Sequence, residues 1–153
     1  GVDGLSHGTL TAGTLNNVMV CFIAIKRNSR ARTVTCYDTN SGGSAYFGVF
    51  ESGITSPSYA NSGTPTYLVN RIAVPGGAGT TRGQLNTAMP VSSWVILEVR
   101  DLNLSSWTGF TIANYTSYTL NGAIGGIVLC PAQSDVNRTQ IRQYLASKVG
   151  VTL

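Results

Sequence analysis

Residues 18–25, Val-Met-Val-Cys-Phe-Ile-Ala-Ile, form an unbroken apolar run, so a strand built from them must be covered on both of its alternating faces. The run is strand-sized and far below the roughly 18 consecutive apolar residues of a membrane span. It predicts a central strand, and a central strand needs neighbours on both sides and layers above and below. The rest of the chain is read as the source of that cover.

Further strand candidates follow at regular spacing. They lie at residues 32–37, 45–50, 66–74, 93–100, 110–113, 115–120 and 123–130, with a shorter one near 9–15. Turn chemistry separates them: Thr39-Asn-Ser-Gly-Gly43, a Pro-, Gly- and Ser-rich stretch over 52–65, and the glycine-rich loop 75–83. Within 93–100, alternation puts Val95, Leu97 and Val99 on one face and Trp94, Ile96, Glu98 and Arg100 on the other. Glu98 and Arg100 then read as a surface pair. One segment has helical character, residues 134–149. There Ile141, Tyr144, Leu145 and Val149 make an apolar stripe, Ser134 or Asp135 can cap the start, and Gly150 sits at the expected left-handed stop. This helix is expected to lie on the sandwich and seal one edge or end.

Only 10% of the 153 residues are charged, against 42% hydrophobic, which excludes a disordered chain, a coiled coil or a charge-rich helical protein. The pattern predicts an all-β fold: one domain over residues 1–153, a two-sheet antiparallel β-sandwich of jelly-roll type with one C-terminal α-helix.

The net charge is +4 and the pI about 9.2. A nucleic-acid partner is not expected, because each phosphate neutralised takes its own cation and the one cluster is small. That cluster, Lys26, Arg27, Arg30 and Arg32, reads as a solvated hairpin tip; an acidic polysaccharide or an acidic protein is an alternative partner for it. With Asn28-Ser29 as the turn of that hairpin, Cys21 and Cys36 stand opposite one another. They read as two buried thiols with a disulfide as the alternative, the directly opposed spacing being slightly wide for a bridge.

Three segments occur in a familiar order: Trp94-Val-Ile-Leu-Glu-Val, then Tyr118-Thr-Leu-Asn-Gly-Ala-Ile-Gly-Gly-Ile-Val-Leu, then Asn137-Arg-Thr-Gln-Ile-Arg-Gln-Tyr-Leu-Ala-Ser-Lys-Val-Gly. Together they resemble the concanavalin A-like (laminin-G-like) jelly-roll domains of phage virion proteins and some bacterial surface proteins. The resemblance implies a domain of a tail fibre, tailspike or capsid decoration, located in the virion, commonly homotrimeric and in contact with other virion subunits. It also implies recognition of host cell-surface polysaccharide. A chain that begins without Met is expected to be the C-terminal part of a longer one. Sugars stack on aromatic rings and exchange hydrogen bonds with polar side chains in shallow sites. The candidates are Tyr59 and Tyr67, which flank the first long loop, and Trp107, Asn114 and Tyr115 in the region after Leu104, with core or hairpin filling as the alternative for each aromatic.

Catalytic motifs are weak. Gly4-Leu-Ser-His-Gly8 matches the nucleophile-elbow pattern, but His7 is the chain's only histidine. Glu98 and Asp101 are the nearest approach to paired carboxylates, on opposite faces of a strand if it continues through both. Residues 76–83 lack the Gly-Lys-Ser/Thr ending of a phosphate loop, and no helix is expected after them. No metal or other cofactor is expected, and no membrane insertion. The expected function is a non-enzymatic glycan-binding module. A purely structural module is the first alternative and a polysaccharide-degrading enzyme the second.

Overall fold

The computed structural model describes Leu15, residues 18–38, Ser41, and residues 44–112, 114–115 and 118–153. In order these form β1 (Val20–Arg27), β2 (Thr33–Tyr37), β3 (Tyr46–Phe50), β4 (Gly63–Val69), β5 (Ile72–Ala73), α1 (Arg82–Ala88), β6 (Trp94–Leu102), β7 (Thr111–Ile112), β8 (Asn114–Tyr115), β9 (Tyr118–Thr119), β10 (Gly122–Cys130) and α2 (Asp135–Val149). The strand expected near residues 9–15, Leu15 apart, and the segment 4–8 with His7 lie outside the described residues.

Two antiparallel sheets carry the fold, one of five strands in the order β10-β1-β6-β4-β5 and one of three in the order β3-β2-β7; β8 and β9 pair separately. The architecture is a β-sandwich with a C-terminal helix. β1 is central, paired to β10 on one side and β6 on the other. Its two apolar faces are both used. Cys21, Ile23 and Ile25 enter the core between the sheets with Val95, Leu97 and Val99 of β6 and Phe47 of β3. Val20, Phe22 and Ala24 face the other way and pack with Ile96, Leu145 and Ala146. Each such side chain taken fully out of water contributes about 1.5–3 kcal/mol, Ala less.

The helix therefore lies on the sandwich as expected, but it covers the outer face of the larger sheet against β10, β1 and β6 and does not seal an edge or end. Gly125 and Gly126 make the close approach possible. A Cβ on Gly125 would stand 2.2 Å from Val149 Cγ1, and one on Gly126 would stand 2.9 Å from Leu145 Cδ2. The Ser134 side chain accepts from the Asn137 amide at the start of the helix, and Gly150 ends it at φ 69°. Its inward face differs from the predicted stripe. Tyr144 is 56% exposed, while Arg142 is buried beside Leu145 and Ala146.

Three further expectations are corrected. β1 and β2 are not a hairpin but belong to different sheets, and residues 28–32 arch between them. Cys21 and Cys36 nevertheless meet across the core as free, buried thiols. The strand expected over 66–74 is a hairpin, because Asn70 (φ 47°) and Arg71 (φ 74°) make a two-residue turn with both φ positive. A helix does follow the glycine-rich loop: Thr81 and Gln84 form a reciprocal capping box that opens α1, whose Leu85 is buried in the core with Met89 just beyond it.

Candidate functional site

Gly48 shapes the outer face of the small sheet. Strictly alternating residues 47–50 would send Phe47 and Phe50 to opposite sides, yet both are in the core. Gly48 takes φ +69°, which re-aims the strand after it. Val49 and its cross-strand partner Val34 then join Tyr37 and Tyr46, also cross-strand partners, in lining a cleft.

The cleft has a volume of about 290 Å³ and is lined by Arg32, Val34, Tyr37, Tyr46, Val49, Arg82 and Tyr118. Arg32 precedes β2, Arg82 opens α1, and Tyr118 begins β9. Arg82 is anchored through all three of its nitrogens: Nε donates to Pro57 O (3.2 Å), Nη1 to Glu51 Oε2 (3.0 Å) and Nη2 to the Tyr46 hydroxyl (2.7 Å). Burial opposes its charge, but Glu51 and Tyr46 more than offset that and hold its pKa above the ordinary arginine value. Arg32 Nε lies 3.3 Å from the same Glu51 oxygen, and its guanidinium carbon sits 3.9 Å from the centre of the Tyr118 ring. The cleft thus offers aromatic rings, a hydroxyl and two cations against one carboxylate. That suits a ligand with a flat apolar face and oxygen acceptors.

A second hollow, about 540 Å³ and more open, is lined by Asp38, Ser41, Ser44, Ala45, Asn61, Gly63, Asn103, Ser105 and Ser106. It has no aromatic wall among the described residues.

The aromatic residues nominated from sequence divide. Tyr67 is 1% exposed; its hydroxyl accepts from Gly48 N and donates to Ser58 O, and burial pushes its pKa well above the usual tyrosine range. Trp107 is 2% exposed, packs with Phe47 and Phe110, and donates its indole N–H to Asn61 O. Both are core residues and are withdrawn as sugar-stacking candidates. Tyr59 is half-buried at the surface, its hydroxyl donating to Ala78 O. Asn114 and Tyr115 form β8, but their side chains lie outside the described residues.

The basic tip is corrected as well. Arg27 is buried, and its guanidinium bonds Asn86 Oδ1, Asn86 O and Met89 O, with Pro90 O at 3.4 Å. It satisfies carbonyls at the end of α1 that have no helical partner of their own. Burial, and then Arg30, lowers its pKa to about 10. Arg30, exposed in the arch after β1, reaches Asn86 O with Nη1 at 3.0 Å, Lys26 is half-buried within β1, and Arg32 turns into the cleft, so the four do not gather at a solvated hairpin tip.

Glu98 is not a surface residue. Under α2 it is 1% exposed and faces Arg100 Nε at 2.5 Å, Arg142 Nη1 at 2.5 Å and Arg138 Nε at 3.7 Å. Asp101, exposed at φ 59°, accepts from Thr66 Oγ1 (3.0 Å). Among the described residues no group of three or more His, Cys, Asp or Glu side chains could hold a metal ion.

Sequence reasoning missed most of the cleft. Only Arg32 was named, and for another role. Two signals were present: Thr81-Arg-Gly-Gln84 as a capping box that begins a helix at Arg82, and the two tyrosines that bracket the 39–43 loop. No family model, curated protein or solved structure matches the chain. The class defined by fold and site is a β-sandwich with an arginine- and tyrosine-lined cleft.

Proposed function

We propose that this chain is a lectin-like module of a phage virion, a receptor-binding domain of a tail fibre or tailspike that holds host cell-surface glycan without cleaving it. The observation that carries the reading is the cleft of Tyr37, Tyr46 and Tyr118 with Arg32 and Arg82. Pyranose rings stack on such aromatic faces, and their hydroxyls accept from such donors. The finer fold assignment, a concanavalin A-like jelly roll, belongs to the same proposal. It is supported by the ordered motifs in residues 94–153 and by antiparallel sheets backed by a closing helix. Virion location follows from the same resemblance.

A structural role, in decoration or trimerisation, is favoured by a different observation. Among the described residues, β10 is an edge strand of nine residues, Gly122–Cys130, with no charged side chain. Free edges of that kind are normally blunted by charge or covered. A homotrimer that covers it, or contact with other virion subunits, is compatible with glycan binding in the same molecule.

A glycan array read together with solution mass separates the two. The lectin reading expects saccharide binding that Tyr118→Ala reduces by about tenfold, on the scale of one lost stacking and cation–π contact. A stable oligomer with no binding across the array favours the structural reading and removes the first.

A further inference from the structure

We infer that the saccharide taken by this cleft is acidic, and that Arg32 reads its carboxylate; the inference rests on the lectin-like reading of the same site. The two cleft arginines differ in what remains available. Each nitrogen of Arg82 already donates one hydrogen bond, to Pro57, Glu51 and Tyr46, so Arg82 is chiefly a post that positions its neighbours. Arg32 is not committed in that way. Among the described residues its two terminal nitrogens make no hydrogen bond, and its Nε, buried 3.3 Å from Glu51 Oε2, lacks hydrogen-bond geometry to it. Its guanidinium is oriented by the Tyr118 ring at 3.9 Å. An oriented fork of this kind matches the two oxygens of a planar carboxylate.

The balance of charge and donors agrees. Two guanidinium groups share one Glu51 carboxylate, which leaves one positive charge in excess within the cleft. The Tyr46 hydroxyl accepts from Arg82 Nη2, so its own hydrogen remains to donate. A neutral sugar meets the aromatic walls equally well but leaves the excess cation uncompensated. A uronate or sialate residue meets both features with one ring and one carboxylate.

Calorimetric titration of the full chain tests this with matched probes: galacturonate oligosaccharides against the same oligomers carboxyl-reduced to galactose, and sialyllactose against lactose. At least one acidic probe is expected to bind about tenfold or more tightly than its neutral partner, with affinity falling as salt rises. Arg32→Gln should erase that preference while leaving the unfolding midpoint near the parent value. Arg32→Lys, which keeps charge but loses the fork, should retain only part of it. Equal affinity for acidic and neutral partners, or a preference that survives in Arg32→Gln, overturns the acidic assignment and leaves the lectin reading standing. Tighter binding of a sulfated chain such as heparin oligosaccharide than of any carboxylate probe overturns it too. Absence of binding to these probes and to every saccharide on an array removes both.

Discussion

Glu98 shows how much one buried residue can be asked to hold. Its carboxylate meets guanidinium groups from β6 and from two turns of α2, and it is 1% exposed. Breaking a buried ion pair from one side costs about 3–5 kcal/mol, because the partners stay buried without compensation. Glu98→Gln should lower stability by that amount in urea unfolding, and α2 should be the element that loosens. A change within about 0.5 kcal/mol, as for an ordinary surface site, would contradict the latch. Cys36 acts through a different linkage. Burial, then its contact with Cys21, pushes its pKa well above the ordinary 9.0, and burial raises that of Cys130 as well. In the unfolded chain these thiols ionise near pH 9.0, whereas the folded state keeps them protonated. Their contribution is therefore complete below pH 9 and is lost as pH rises above it, at up to about 1.4 kcal/mol per pH unit for the fully buried Cys36 and by less for the partly exposed Cys130, which solvent screens. Unfolding measured between pH 8 and 10 should show that decline, with a shallower slope in Cys36→Ala. The window stops at 10 because Arg27, lowered to about 10, contributes in the opposite sense above it.

Among elements, the ones legible in the sequence are those whose burial is set locally. β1 was readable because a strand apolar on both faces has few alternatives, and the second layer it required proved to be α2. The span and caps of α2 were readable as well. Its inward face was not, because Arg138 and Arg142 occupy positions that a hydrophobic pattern assigns to solvent, and only the distant Glu98 makes their burial tolerable. β3 defied the two-residue period for a related reason. Gly48 at φ +69° brings Phe47 and Phe50 to one side, a conformation that an alternating pattern does not encode. A Cβ there would lie 2.8 Å from Thr35 Oγ1. Gly48→Ala should therefore cost about 2–4 kcal/mol through strain and crowding. Any folded remainder should bind saccharide poorly, since Val49 and Tyr46 would no longer share a wall. Retained stability and binding would argue against this account of the strand.

For the molecule as a whole, the cleft joins residues 32, 37, 46, 82 and 118, with Glu51 behind them, from both sides of the long 52–65 loop and from α1. Arg32 and Tyr37 lie at the two ends of β2 and Tyr46 and Glu51 at the two ends of β3, but Arg82 and Tyr118 are distant from both in sequence. Sequence reasoning reached the sandwich because composition and periodicity bear on layers. It missed the site because a site on one face of a sheet depends on register and on which loop folds over which strand. The aromatic residues it nominated, Tyr67 and Trp107, show the ambiguity: a ring beside a turn can as well close the core as face a ligand, and here both close it. The central claim is that saccharide occupies the cleft on the outer face of β2 and β3. Amide chemical-shift mapping during titration with the tightest glycan probe tests it most directly. The account predicts that the largest shifts fall on Arg32, Tyr37, Tyr46, Val49, Arg82 and Tyr118; shifts centred on the Asp38–Asn103 hollow or on the edge of β10 would contradict it.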